Sequence, residues 1–149
     1  MKDWNALHFV CRNYSGEDLI EIVRLLIDNL IDVKAKTNWG SNALTLLFQN
    51  ANLGGDCVLA LAQLLINCNI DTEAVDGDGD NALILVCEWH KSDKLVDIIR
   101  IILNSSIDVN AKNKKGMNAV RLLRNRGFEK SSQEIQLLFS HGAIEEEEH

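Results

Sequence analysis

The pattern Asn-Ala followed by an apolar residue occurs four times in this chain, and its regular spacing constrains the fold more than any other sequence feature. The asparagines are Asn5, Asn42, Asn81 and Asn118, separated by 37, 39 and 37 residues. Periods of this length are typical of tandem structural repeats. A unit of this size cannot bury its own apolar face, so we expect neighbouring units to stack and share one continuous core.

Two further phrases recur in step with the first. The phrase before the asparagine reads IDVKAKTNWGS, IDTEAVDGDGD and IDVNAKNKKGM, beginning at Ile31, Ile70 and Ile107. A more apolar phrase precedes each of these, as EIVRLLIDN, ALAQLLINC and DIIRIILNS, with a diverged copy, QEIQLLFSH, at residues 133–141. The constant order predicts four repeats, at about 4–30, 31–69, 70–106 and 107–144.

Each repeat is expected to form two helices and a turn. Asparagine favours the N-cap position, because its side-chain oxygen accepts a hydrogen bond from an amide of the first helical turn. The first helix is therefore predicted to begin at the repeated asparagine. The second helix is predicted to bury a leucine or isoleucine doublet, such as Leu25 with Leu26. Its expected starts are near Asp18, Asp56, Asp93 and Ser132.

These phrases resemble ankyrin repeats. The family phrases G-x-T-P-L-H-x-A-A and E-I-V-x-L-L-L-x-x-G-A-D-V-N-A are similar to NALHFVC at residues 5–11 and EIVRLLIDNLIDVKA at residues 21–35. The resemblance extends over residues 4–144. It implies an all-α repeat solenoid, in which stacked helix-loop-helix repeats are joined by β-hairpin-like turns. It also implies one domain over residues 1–144 that acts as a non-catalytic protein-binding module.

The chain departs from the family in systematic ways. Asn-Ala replaces Thr-Pro, and the segments between the two helices of a repeat are lengthened. The glycine that ends the second helix in a left-handed conformation is present only as Gly142, and Leu30, Asn69 and Ser106 occupy the equivalent positions. Asparagine tolerates that conformation, whereas leucine does not. We therefore expect either strain or a rebuilt turn at Leu30.

In the segment VDGDGDNALILVC, residues 75–87, an EF-hand calcium loop counted from Asp76 would have aspartates at its positions one, three and five. Asn81 replaces the glycine at position six, and Cys87 replaces the glutamate at position twelve. The segment also aligns with turns of other repeats that lack the aspartates. We interpret it as a turn followed by a helix, and we expect no metal and no cofactor.

No catalytic set recurs in the repeats. Cys87 and His90 lie close in sequence, and such a pair can generate a reactive thiolate. However, Cys87 aligns with Cys11 and Phe48, which predicts a core position. The four cysteines have spacings of 46, 11 and 19 residues, which match no zinc motif. His8 is expected to have a structural hydrogen-bonding role, and we expect no enzymatic activity.

The turn tips are the predicted contacts for a partner protein, together with the concave helix surface, because turn chemistry does not require their residues. The tryptophans are included because aromatic residues are enriched in binding hot spots. The predicted contact residues are Lys36, Asn38, Trp39, Asp76, Asp78, Asp80, Trp89, Lys112, Lys114 and Lys115.

An apolar column also recurs in the first helices, formed by Phe9, Leu46, Leu85 and Leu122. One interpretation is an exposed apolar strip on the concave surface, which would mark an interaction site. The other, which we favour, is that the lengthened segments between helices fold over these side chains.

Charge distribution suggests two alternative functions. The net charge is −7, but residues 112–130 carry +6 and residues 71–80 carry −5. Polyanion or nucleic-acid binding by the basic C-terminal repeat is therefore one alternative, although the acidity of the whole chain makes nucleic acid unlikely. The other is a structural segment that self-associates through its uncapped N-terminal end. A monomer is our expectation.

No apolar run reaches the roughly 18 residues that a membrane helix needs. With 149 residues and 46% hydrophobic content, the chain can form one core, and its four cysteines are too few for a disulfide framework. We therefore expect a cytoplasmic protein without membrane contact. Residues 145–149 are interpreted as an acidic tail, either disordered or added to the natural chain.

Overall fold

The computed structural model describes residues 3–146, and its regular structure is entirely α-helical. The eight helices are α1 (Ala6–Asn13), α2 (Leu19–Asp28), α3 (Ala43–Phe48), α4 (Gly55–Asn67), α5 (Ala82–Trp89), α6 (Leu95–Leu103), α7 (Ala119–Asn125) and α8 (Gln133–Ser140). They form four pairs, as predicted. None of these helices is long and apolar enough to cross a lipid bilayer.

The repeated asparagines begin the odd-numbered helices. In each case the side-chain oxygen accepts a hydrogen bond from the amide three residues later, over 2.9–3.2 Å. In α1 the cap is reciprocal, because the amide of Asn5 donates to Nδ1 of His8 over 3.1 Å. In α3 the amide of Asn42 donates to the hydroxyl oxygen of Thr45 over 3.0 Å. The N-cap prediction is therefore confirmed at all four positions.

The helices pack in two layers. The odd-numbered helices lie side by side in chain order, the even-numbered helices do the same, and each pair is also in contact across the layers. Apolar side chains fill the space between the layers, with Leu65, Ile99 and Leu123 fully buried. Because each pair contacts its sequence neighbours, one core extends through the stack.

The predicted apolar doublets are only partly correct. Adjacent helical residues point about 100° apart, so only one member of a doublet faces the core. The second member is buried in α4, α6 and α8, as Leu65, Ile102 and Leu138. In α2 the prediction is wrong for Leu25, which is 61% exposed, and Leu26 is only partly buried.

The turns between pairs contain no strand, so the predicted β-hairpin-like turns are wrong. In the first turn the amide of Thr37 donates to the carbonyl of Ser41 over 2.8 Å, and the amide of Gly40 donates to the carbonyl of Thr37 over 2.9 Å. The other two turns make the same pair of bonds. Within residues 3–146 these bonds close each tip but do not continue into a strand ladder.

Each pair ends in a left-handed residue, including Leu30. The φ angles are 65° at Leu30, 60° at Asn69, 66° at Ser106 and 92° at Gly142. The amide of Ile31 donates to the carbonyl of Leu26 over 3.1 Å. The amide of Leu30 donates to the carbonyl of Ile27 over 3.0 Å. These are the two bonds of a Schellman motif. The turn at Leu30 is therefore strained and has not been rebuilt.

The helix pairs alternate in the way the first helix ends. Helices α1 and α5 have 8 residues and end at extended C-caps, Tyr14 and His90. Helices α3 and α7 have 6 and 7 residues and end at right-handed C-caps, Gln49 and Arg126. The first pair thus resembles the third, and the second resembles the fourth, a longer period that the spacing of the asparagines did not reveal.

This alternation creates two side-chain bridges between pairs, which we call the carbonyl clamps. The side-chain nitrogen of Asn50, Nδ2, donates to the backbone carbonyls of Cys11 and Tyr14 over 3.1 and 3.0 Å. The guanidinium of Arg126 donates to the carbonyls of Cys87 and His90, both over 2.7 Å. The first pair is thus clamped to the second, and the third to the fourth.

At the junction between the second and third pairs, Trp89 occupies the position equivalent to Asn50 and Arg126. An indole has a single donor, so it cannot make the forked contact of either clamp. A cleft of about 800 Å³ lies at this junction, lined by residues that include Phe48, Leu53 and Trp89.

Candidate binding surfaces

Three of the predicted contact lysines bond to the protein itself. The ammonium of Lys36 lies 2.6 Å from a carboxylate oxygen of Asp71, in the next turn. Lys114 donates to the carbonyl of Gly77 over 2.6 Å. Lys112 lies 2.6 Å from a carboxylate oxygen of Glu146. Their charges therefore hold neighbouring segments together.

Two of the three predicted aspartates accept hydrogen bonds from the protein itself, within their own turn and from neighbouring segments. One oxygen of Asp76 accepts from the amides of Asp78 and Asp80 over 2.9 and 3.0 Å, and the other accepts from Gln49 over 2.9 Å. Asp80 is 6% exposed and accepts from the side chain of Asn113 over 2.8 Å. Carboxylate oxygens of the three aspartates lie within 4.8 Å of one another, close enough to hold a cation. Both oxygens of Asp76 and one of Asp80 already accept protein hydrogen bonds.

The aspartates and Glu88 line a small acidic pocket of about 150 Å³. Burial raises the pKa of Asp80, and the charges of Asp76 and Asp78 raise it further. Burial and the charge of Asp80 likewise raise the pKa of Glu88. Lys115 lines the same pocket and counteracts both shifts. The pocket concentrates negative charge and is suited to a cationic group.

The two predicted contact tryptophans border this acidic turn and are largely exposed. Trp39 is 72% exposed, and Cε3 of its ring lies 3.6 Å from the position that a Cβ atom on Gly77 would occupy. Trp89 is 62% exposed and lines the acidic pocket. Trp89 is the last residue of α5. We call Trp39, Trp89 and the acidic residues between them the tryptophan surface.

The remaining predicted contact residues at the tips, Asn38, Asp78 and Lys115, have exposed side chains. Lys115 and Asp78 line the acidic pocket with Trp89. The predicted site is thus divided by the structure. Its tryptophans and outermost tip residues face solvent, whereas most of its charged residues bond to neighbouring segments.

The apolar column is not a surface strip. Leu46, Leu85 and Leu122 are 3%, 2% and 6% exposed. Only Phe9 is exposed, at 39%, and its ring lies 5.2 Å from that of Trp4. The interpretation as an exposed apolar strip is therefore wrong for the three leucines.

The C-terminal basic residues contact the acidic tail. One oxygen of Glu145 lies 3.3 Å from Nε of Arg124, and the other lies 2.7 Å from the ammonium of Lys130. With the Lys112–Glu146 pair, this places both glutamates against the body of the protein. Whether the tail as a whole is disordered or added to the natural chain stays a prediction. Residues 147–149 lie outside the described part of the chain.

The thiol and imidazole groups noted in the sequence have structural environments. Burial raises the pKa of Cys87 and of Cys11 to about 12, so both thiols are protonated at neutral pH. The predicted core position of Cys87 is confirmed by its complete burial. His8 is also buried, and its Nε2 lies 2.9 Å from the carbonyl of Ala35. Since Nδ1 accepts from Asn5, Nε2 donates, and the predicted structural role is confirmed.

Comparison with known proteins identified no relative of this chain. None of the known protein families matches this chain, and no curated protein is significantly similar to it.

Proposed function

We propose that this chain is a non-catalytic ankyrin-type repeat solenoid that binds a protein partner through the tryptophan surface. The observation that carries the proposal is the exposure of Trp39 and Trp89 beside one acidic turn. Large aromatic side chains are costly to leave in water and dominate the energetics of many interfaces. They stand on a frame whose turns are internally hydrogen-bonded, so little order has to be created on binding.

The solenoid assignment rests on the similarity of the four helix pairs. Each pair has the same asparagine cap and the same left-handed end, and each contacts only its sequence neighbours among the described helices. The N-cap bonds recur in all four pairs and both Schellman bonds recur in three of them, at the positions of the family phrases. The four cysteines are free thiols, which is typical of a reducing compartment such as the cytoplasm.

The acidic pocket indicates which chemical group the partner presents. Asp76, Asp78, Asp80 and Glu88 surround one lysine, so an approaching lysine or arginine side chain meets an excess of negative charge. Cationic groups also bind favourably over the face of an indole. We therefore expect the partner to present a basic residue next to an apolar one.

Selection from a random peptide display library tests this proposal. We expect peptides enriched on the parent chain to contain lysine or arginine, and to lose binding to the W39A/W89A variant. L25A/I144A is the matched control, because Leu25 and Ile144 are also exposed apolar residues and lie outside the tryptophan surface. Peptides that bind W39A/W89A as tightly as the parent would show that the tryptophan surface is not the site.

A further inference from the structure

A second charged surface lies at the C-terminal end of the chain and is independent of the tryptophan surface. Three segments supply its cations: Lys112 from the turn before α7, Arg124 from α7, and Lys130 from the segment between α7 and α8. We call these three residues the basic surface. Arg124 and Lys130 line an open depression of about 640 Å³, together with Glu145 and Glu146.

The spacing of these cations matches consecutive acidic residues of a peptide. A single carboxylate, that of Glu145, bridges Arg124 and Lys130 with contacts of 3.3 and 2.7 Å. The next residue, Glu146, reaches Lys112 at 2.6 Å. Because the three cations come from separate segments, the fold places them where two successive carboxylates can be bound.

The ion pairs between the basic surface and Glu145 and Glu146 can be replaced by ion pairs with another acidic segment. The paired side chains are between 29% and 66% exposed. Ion pairs in such positions contribute little each, typically below about 1 kcal/mol. An acidic segment supplied by another molecule can therefore replace Glu145 and Glu146.

We propose that the basic surface is a docking site for an acidic segment of a partner protein, and that Glu145 and Glu146 occupy it in cis until the partner displaces them. A partner with adjacent glutamates or aspartates reproduces the contacts that the tail makes. The chain thus contains an intramolecular competitor that weakens binding of partners with isolated acidic residues.

A peptide fits this surface better than a nucleic acid does. Binding of single-stranded nucleic acids relies on exposed aromatic rings on which bases stack. The aromatic residue lining the depression is Phe128, which is only partly exposed and lies 5.2 Å from the guanidinium of Arg126. The depression therefore has carboxylate-binding cations without an open stacking platform.

Fluorescence anisotropy with a labelled oligoglutamate peptide tests the proposal. The tail variant E145Q/E146Q/E147Q/E148Q removes the competitor, and we expect it to bind the peptide roughly fivefold more tightly than the parent. Adding K112E/K130E to the tail variant should weaken binding about tenfold. Adding R24E/K34E, at two exposed cations elsewhere, is the charge-matched control and should leave affinity unchanged.

Four results would overturn the proposal. Equal peptide affinity of the parent and the tail variant would show that the tail does not compete. Full retention of binding in the K112E/K130E variant, with its fold verified by circular dichroism, would place the site elsewhere. An oligonucleotide of equal charge that displaces the peptide at lower concentration would identify a general polyanion surface. A parent chain that dimerises, while the tail variant stays monomeric, would make a second copy's tail the occupant and would equally contradict a foreign partner.

Discussion

Leu30 is the residue with the clearest conflict between local conformation and side chain. Its backbone is left-handed, at a φ angle of 65°, and its side chain is 90% exposed. A non-glycine residue in this region costs roughly 1–2 kcal/mol. Burial of the side chain does not offset that cost. The position has the backbone conformation that glycine adopts at least cost.

Replacing Leu30 with glycine should therefore stabilise the protein. We expect the free energy of unfolding to rise by about 1 kcal/mol, because relief of strain exceeds the added flexibility of the unfolded chain. Urea denaturation measures the change. L25G is the matched control, since Leu25 is an exposed leucine within α2, where glycine should cost about 1 kcal/mol. Destabilisation by both variants would contradict the strain argument.

His90, in the segment between α5 and α6, makes the stability of the protein depend on pH. Burial lowers the pKa of His90, and the nearby charge of Arg126 lowers it further. Below the unfolded value of 6.5, the unfolded chain takes up a proton that the folded histidine resists. The stability contributed by neutral His90 is thus complete above pH 6.5 and declines as pH falls toward the folded pKa.

Thermal unfolding of H90Q should reveal this contribution. We expect the parent to lose more stability than H90Q when pH falls through the window just below 6.5, because glutamine cannot take up the proton. H141Q provides the control, since His141 is exposed beyond α8. Parallel pH profiles for the parent and H90Q would exclude His90 as the source.

At the scale of elements, the carbonyl clamps join consecutive helix pairs through the ends of α1 and α5. Each clamp satisfies two carbonyl oxygens at a helix end that has no further intrahelical partner. Sequence analysis missed both clamps, because Asn50 and Arg126 look like ordinary polar residues after a helix. Their shared offset from the repeated asparagines is the one signal that could have identified them.

Removing the Arg126 clamp should destabilise the protein. We expect R126A to lower the free energy of unfolding by about 1–3 kcal/mol, because two charge-assisted hydrogen bonds are lost. R126K should recover only part of this, since an ammonium lacks the planar fork. R24A, at an exposed arginine of α2, is the control and should change stability by less than about 0.5 kcal/mol. Equal stability of R126A and R24A would contradict the clamp's importance.

At the scale of the molecule, the structure is a chain of nearest-neighbour contacts. The first and third helix pairs do not contact each other among the described helices, and neither do the second and fourth. Stability in such arrangements is approximately a sum of unit and interface terms. The two clamps belong to different interfaces and share no residue.

The effects of N50A and R126A should therefore add. We expect the destabilisation of the double variant to equal the sum of the single variants within about 0.5 kcal/mol. Chemical denaturation of all four proteins measures this. A larger deviation would show that the two clamped interfaces are energetically coupled through the unclamped junction at Trp89.

Charge at the molecular scale is more balanced than the sequence suggests. The strongly basic region at residues 112–130 pairs in part with Glu145 and Glu146, and Lys36 pairs with Asp71. These pairs offset part of the charge that the sequence concentrates in residues 71–80 and 112–130. The exposed part of the acidic turn retains its charge beside the two tryptophans.

Local physical chemistry was sufficient to determine the helices from the sequence. The asparagine caps, the apolar spacing and the left-handed positions depend on residues within a few positions of one another, so each can be recognised in one segment. The strand content of the turns was not correctly predicted, because it rested on resemblance to a family.

Tertiary structure alone decided which of the predicted contact residues remain available. Lys36, Lys112 and Lys114 are indistinguishable from free surface lysines in the sequence, yet each bonds to a segment 34 to 37 residues away or to the neighbouring turn. Such bonds depend on how one helix pair is positioned on the next, and that placement comes from packing of the shared core. For the same reason Trp39 and Trp89, far apart in sequence, border one acidic turn.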